Sequence, residues 1–340
     1  MTTGTRPGTE RMRSSTLALA LVLALAACSP AQTGAGTPGP SASEGAPSQP
    51  AATPQGSVAG PSPTLLSRKD GLIAFAQIVP SVDHFDVFTI RPDGTDLVKV
   101  VSGKHTLPRW SPDGSKIAMS SYWFGNYEST VNADGTGFVE YPNPDKSLTL
   151  ECTAWSADAT RLACEGFAFK KGREGIYTVS STTGQDLKRL TVSTDGAHEI
   201  PGAYSPDGTR LVYVRATYTP LHLGQLWMCN ADGSNPHKIS DTLVHYRVAW
   251  SPDGRYIAAN AKGDILIFDL QHMGDDPRSI NVANGSASVP RWSPDGSHLV
   301  FLLEHATSAD IYTMAIDGSG LFRVTSNAVA DGAPDWGAAQ

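Results

Sequence analysis

Charge is sparse in this chain: Asp, Glu, Lys and Arg together make up 17% of it, and Lys and Arg never form a long run. With a formal net charge of −7 there is no basic stripe to replace counterions along a phosphate backbone, which excludes a nucleic-acid partner. Cysteine is scarce too. Four are present, and no Cys/His spacing matches a structural zinc site, so no metal or other cofactor is expected. The Gly-x-Ser-x-Gly elbow of a serine hydrolase is missing and no hydrolase domain is recognisable, so no catalytic residue is assigned. Convincing helical amphipathicity is absent throughout; the apolar residues alternate with period two.

Only one long apolar run occurs, and it reads as a targeting segment. Arg6, Arg11 and Arg13 form a positive region ahead of Ser14–Ala27, which is too short to span a bilayer comfortably. The run ends in Leu25-Ala26-Ala27-Cys28, which resembles a bacterial lipobox: small residues fit the peptidase and the Cys28 thiol takes the lipid. The competing reading is an ordinary signal peptide that happens to precede a cysteine. Residues 1–27 are thus expected to be removed. Cys28 would then hold the protein, exported, to the cell membrane or envelope by acyl chains worth about 0.8 kcal/mol per buried CH₂. Residues 28–64 are the lipidated Cys28 and a tether of Pro, Gly, Ser, Ala, Thr and Gln with one charge, Glu44. Such a composition cannot bury enough apolar surface to order itself, and as a coil it spans about 30 Å.

From residue 65 to the C-terminus the chain repeats itself. The copies are RWSPDG (109–114), AWSADA (154–159), AYSPDG (203–208), AWSPDG (249–254) and RWSPDG (291–296), with a shortened PDWG at 334–337. Their aromatic residues, Trp110, Trp155, Tyr204, Trp250, Trp292 and Trp336, are 45, 49, 46, 42 and 44 residues apart, the length of one four-stranded propeller blade. After each Ser-Pro-Asp-Gly turn comes an alternating strand, then a third strand, an Asp-Gly type turn and a short outer strand. Three strands (Leu72–Ala76, Asp86–Ile90, Leu97–Val101) precede the first copy without an inner strand, and a lone inner strand ends the chain. The expected fold is therefore all-β: a six-bladed β-propeller of four-stranded antiparallel blades, closed by the C-terminal strand joining the N-terminal blade.

The pattern W-S-P-D-G-x-x-[IL]-A resembles the TolB-type propeller repeat, and the resemblance covers nearly all of 65–337. It implies a propeller, but one fold serves many functions. Resemblance to TolB itself implies an α/β domain ahead of the propeller, a place expected to be occupied here by the tether. Ala157 and Ala159 depart from the motif, as does the stretch Asp269–Ser279 where a clean turn is expected.

The repeated aromatics are read as wedges between blades, and Asp113, Asp207, Asp253 and Asp295 as turn residues. Cys152 and Cys164 flank one hairpin and are a candidate disulfide, while Cys229 reads as a small buried hydrophobe. Function is sought at the loops entering the inner strands and the loops between second and third strands, which share one face. These hold the ligand-binding candidates His105, Glu151, His198, Glu199, His245, Arg247 and Asp331, with further histidines at 84, 222 and 305. Trp123 and Tyr127, with Tyr122, Phe124 and Tyr218, could stack on a sugar or pack a partner's side chains. Three readings remain open for this face: a merely solvated funnel, a mouth binding a protein, peptide or glycan, and a metal site built from His105, His198 or His245. A monomeric, non-catalytic binding or scaffold module is the expectation, with membrane contact through the Cys28 lipid alone; a metal-assisted lyase or hydrolase is the alternative.

Overall fold

A computed structural model describes residues 70–80, 84–121, 127–167, 172–193, 195–216, 223–326 and 329–338. The signal segment, Cys28, the tether, Tyr122, Trp123, Phe124, Tyr218 and His222 lie outside them. All regular elements among the described residues are strands.

The first blade comprises β1 (Leu72–Val79), β2 (His84–Ile90) and β3 (Val98–Val101), and its inner strand comes from the other end of the chain, β24 (Asp331–Gly337). The second runs β4 (His105–Trp110), β5 (Lys116–Ser121), β6 (Tyr127–Asn132) and β7 (Val139–Pro142), and the third β8 (Thr149–Trp155), β9 (Arg161–Phe167), β10 (Gly175–Ser180) and β11 (Lys188–Arg189). The fourth has β12 (His198–Tyr204), β13 (Arg210–Ala216), β14 (Leu223–Asn230) and β15 (His237–His245). The fifth has β16 (Ala249–Trp250), β17 (Tyr256–Ala261), β18 (Asp264–Asp269) and β19 (Arg278–Ile280); the sixth, β20 (Ser286–Trp292), β21 (His298–Glu304), β22 (Ala309–Ala315) and β23 (Phe322–Arg323). Every pairing within a blade is antiparallel, and β24 closes the ring on β1 with Ile73 opposite Trp336 and Ala74 opposite Asp335. The expected six-bladed propeller and its closure are both realised.

The core is divided between the blades. Six buried apolar clusters fill the six blade interfaces, each drawing side chains from two adjoining sheets. The inner-strand Trp residues are 6–7% exposed and wedge there as expected. Trp155 and Trp292 also donate their indole N–H to the preceding blade, at the carbonyls of Arg109 (3.0 Å) and Ala249 (3.2 Å).

The Ser and Asp of the motif make one turn five times over. Ser111 donates to Asp113 Oδ1 at 2.6 Å, the same oxygen accepts the Ser115 N–H at 3.0 Å, and Ser111 Oγ accepts the Lys116 N–H at 2.9 Å. Ser156, Ser205, Ser251 and Ser293 repeat the Ser–Asp bond with Asp158, Asp207, Asp253 and Asp295. These bonds favour the carboxylate, holding Asp207 down at about 2. The Gly of the turn has φ near +70°, and where the second copy replaces it Ala159 is forced to +57°.

Cys152 and Cys164 are register partners on β8 and β9, and their sulfurs are bonded. Cys229 is a buried free thiol whose pKa burial pushes up to about 12.

Candidate functional site at the axial channel

The six inner strands run the same way along the axis, so one end of the channel is lined by their first residues and the other by the Trp-Ser-Pro-Asp-Gly turns. The sequence directs attention to the first end, and there the candidates divide.

Glu199 and Asp331 belong to the joints between blades. Thr191, just past the outer strand of the third blade, accepts the Ile176 N–H at 2.8 Å and donates its hydroxyl to Glu199 on the inner strand of the fourth. Thr325 makes the same joint from the sixth blade to the first, accepting from Ile311 N at 2.9 Å and donating to Asp331 Oδ2 at 2.5 Å. Gln77 Nε2 donates to the other Asp331 oxygen at 2.8 Å, and Arg215 Nε lies 3.4 Å from Glu199. Both acids are buried. The fragments KRLT and FRVT ahead of each joint carry the signal that could have revealed it.

His105 is also internal: buried, 3.3 Å from the Ser129 hydroxyl, edge-on to Phe138, and kept toward its neutral form by burial. His198 instead holds Glu165, Nδ1 to Oε1 at 2.5 Å. The hydrogen bond to Glu165 raises the imidazole pKa, while burial raises that of Glu165 itself. His245 ends β15 opposite Leu223. The three histidines therefore do not converge, and among the described residues no group of three His, Cys, Asp or Glu side chains could hold a metal ion. Tyr127 opens β6 opposite Pro142.

Glu151 and Arg247 do meet. Arg247 Nη2 donates to Glu151 Oε1 at 2.6 Å, joining the third and fifth blades across the channel. Near Glu151 on β6 lies Glu128, buried, accepting from Ser120 Oγ and from the Cys152 N–H, each at 3.0 Å; burial drives its pKa well above the usual carboxylate range. Sequence reasoning missed Glu128 and Glu165, which sit in ordinary alternating strands.

At the turn-side end the channel widens into a cavity of about 340 Å³ lined by all six inner strands. The residue before each motif aromatic faces it: Arg109, Ala154, Ala203, Ala249, Arg291 and Asp335. The charged three occupy consecutive blades, the second, sixth and first, and the three alanines the opposite arc. Asp335 Oδ2 accepts the Trp110 N–H at 2.7 Å, and Oδ1 lies 3.4 Å from Arg291 Nε. Arg291 Nη1 donates to Val248 O at 2.9 Å, and Arg109 Nη1 to Pro108 O at 2.6 Å. Burial lowers the pKa of both guanidiniums, Arg291 to about 10, and their mutual repulsion adds to the fall at Arg109. The missed signal was Pro-Arg-Trp, Pro-Arg-Trp and Pro-Asp-Trp in three of the copies.

The comparisons with known proteins agree with the propeller fold. Residues 208–339 match the family model for the TolB beta propeller domain. A protein of Anaeromyxobacter dehalogenans named Tol-Pal system protein TolB is 30% identical over 178 residues, covering 50% of this chain but 39% of its own length. An uncharacterised protein of Agrobacterium fabrum is 26% identical over 252 residues, 73% of this chain and 68% of its own. The crystal structure of TolB from Acinetobacter baumannii superposes with a TM-score of 0.62 at 19% identity, covering 80% of this chain and 68% of that one. Repeat, ring closure and family match concur: the propeller of this chain is TolB-like, matching the TolB beta propeller domain over residues 208–339.

Proposed function

We propose that this protein is an exported, Cys28-anchored envelope lipoprotein whose propeller binds a protein or peptide partner at the axial channel without catalysing a reaction. The observation that carries this reading is the turn-side cavity, of about 340 Å³ and lined by every blade, within the size range of ligand pockets. The acids and histidines of the opposite end are engaged in joints and pairs that stiffen the ring, so they serve as scaffold for the mouth rather than as reacting groups. Relatives named for the Tol-Pal system support an envelope setting and a protein as the bound species.

The test is capture from native membranes with the full-length protein and with Ala203→Phe, which fills part of the cavity. A partner retained by the parent and lost by the variant at unchanged thermal stability is the expected result; equal retention would overturn the assignment of this mouth. Cys28→Ser tests the anchor separately, with the expected outcome that the protein leaves the membrane fraction.

A further inference from the structure

Three blades reach the turn-side cavity by an unusual route. In the second, sixth and first blades the residue two before the charged position takes a positive φ, +53° at Leu107, +52° at Val289 and +48° at Ala333. Each sits in an irregular stretch of the inner strand, where the ladder to the neighbouring strand skips. Positive φ is costly for any side chain with a Cβ, and most for β-branched Val289. In each case the sequence continues Pro, then Arg109, Arg291 or Asp335. The third and fourth blades skip too, yet with alanine before the aromatic and no positive φ in the inner strand. Strain thus accompanies the charges and re-aims them at the cavity.

The charges do not cancel. Among the residues lining the cavity, Arg109 and Arg291 stand beside Asp335, leaving one positive charge in excess. Arg109 is 5% exposed, and its Nε and Nη2 have no hydrogen-bond partner. A buried guanidinium with unused donors calls for an acceptor. Across the cavity stand Ala154, Ala203 and Ala249, which are apolar and small.

We infer that the turn-side cavity binds an organic monocarboxylate, its head group held by Arg109 beside Arg291 and its short apolar body lying against the alanine arc. The inference rests on the proposed role of this mouth and names the chemistry recognised there. A planar carboxylate accepts from a guanidinium fork through two oxygens. A single negative charge matches the single excess positive one, whereas the second charge of a dianion would meet the Asp335 carboxylate without compensation. A partner's C-terminus and a free small acid share this chemistry.

The test is titration of tryptophan fluorescence, since five Trp border the cavity. Full-length protein in detergent at constant ionic strength receives N-acetyl-Ala-Ala, the same dipeptide as its C-terminal amide, propionate, or sulfate. The free acid is expected to saturate the signal, with the amide weaker by about tenfold or more. Arg109→Ala should cost a similar factor, and Asp335→Asn, which removes a competing carboxylate, should tighten binding severalfold. This second variant keeps the test decisive should Arg109→Ala fail to fold. Binding of the amide as tight as that of the acid, sulfate outcompeting the acid, no response to either acid up to about 50 mM, or weaker binding by Asp335→Asn would each overturn the inference. Dipeptide acid binding well above propionate identifies a chain terminus as the natural source, and parity identifies a free acid; both uphold the site. Partner capture that survives while no acid binds overturns this inference alone, and acid binding without capture overturns only the proposed function.

Discussion

The two ends of the channel are built from the same six strands and are opposites in their chemistry. At the entry end, polar side chains are paired off: Thr325 with Asp331, Thr191 with Glu199, His198 with Glu165. At the turn end, Arg109 keeps two unpaired nitrogens beside an open cavity. The contrast teaches that buried polarity in one fold can serve cohesion or recognition, and that satisfaction of the donors tells which. A satisfied acid holds two blades together; an unsatisfied arginine costs stability and needs a ligand to offset it.

The largest expected effect therefore lies at the entry end. Asp331→Ala strips acceptors from Thr325 and Gln77 and should lower unfolding free energy by about 3 kcal/mol, measured by urea denaturation. A loss below about 1 kcal/mol would show that the joints do not hold the ring. Next in size is a pH dependence. Glu128, Glu165 and His198 all have folded pKa values raised above their unfolded ones, so the native state binds more protons than the unfolded chain. For His198 the stabilisation is full below its ordinary pKa of 6.5 and is lost as pH rises through the raised value; for the two glutamates stability falls once pH climbs past the ordinary 4.5. His105, whose pKa is lowered, works in the opposite sense. Stability should thus decline from pH 5 to 8 by about 1 kcal/mol per unit, and Glu128→Gln should flatten the slope. An unchanged slope in that variant would mean that Glu128 does not carry the proton.

Smaller effects belong to the turn end. Ala159→Gly relieves a positive φ and should stabilise by about 1 kcal/mol, read as a higher Tm. Arg109→Met should change stability by less than about 1 kcal/mol, because the guanidinium it removes is poorly satisfied and the thioether fills much the same space. A loss matching that of Asp331→Ala would erase the distinction between the two ends.

Blade number, strand order and ring closure were legible before any coordinates, because each blade is a local unit whose turn residues and period-two strands specify it within about 45 residues. Trp110 and its equivalents, and Asp113 and its equivalents, announced their roles by recurrence. Recurrence could not say which of Glu199, Asp331, His105 and His198 would be consumed inside the ring, since their partners Thr191, Thr325, Ser129 and Glu165 come from other strands or the segments just past them. Nor did it single out Arg109, Arg291 and Asp335, which read as ordinary substitutions at a variable position.

What the sequence determined by itself was the repeat and hence the ring, for those depend on short-range turn geometry and alternation. What tertiary structure alone decided was the balance of charge along the axis. Residues as far apart as Arg109 and Asp335 become neighbours only once β24 pairs with β1, and whether a buried donor finds an acceptor depends on that closure.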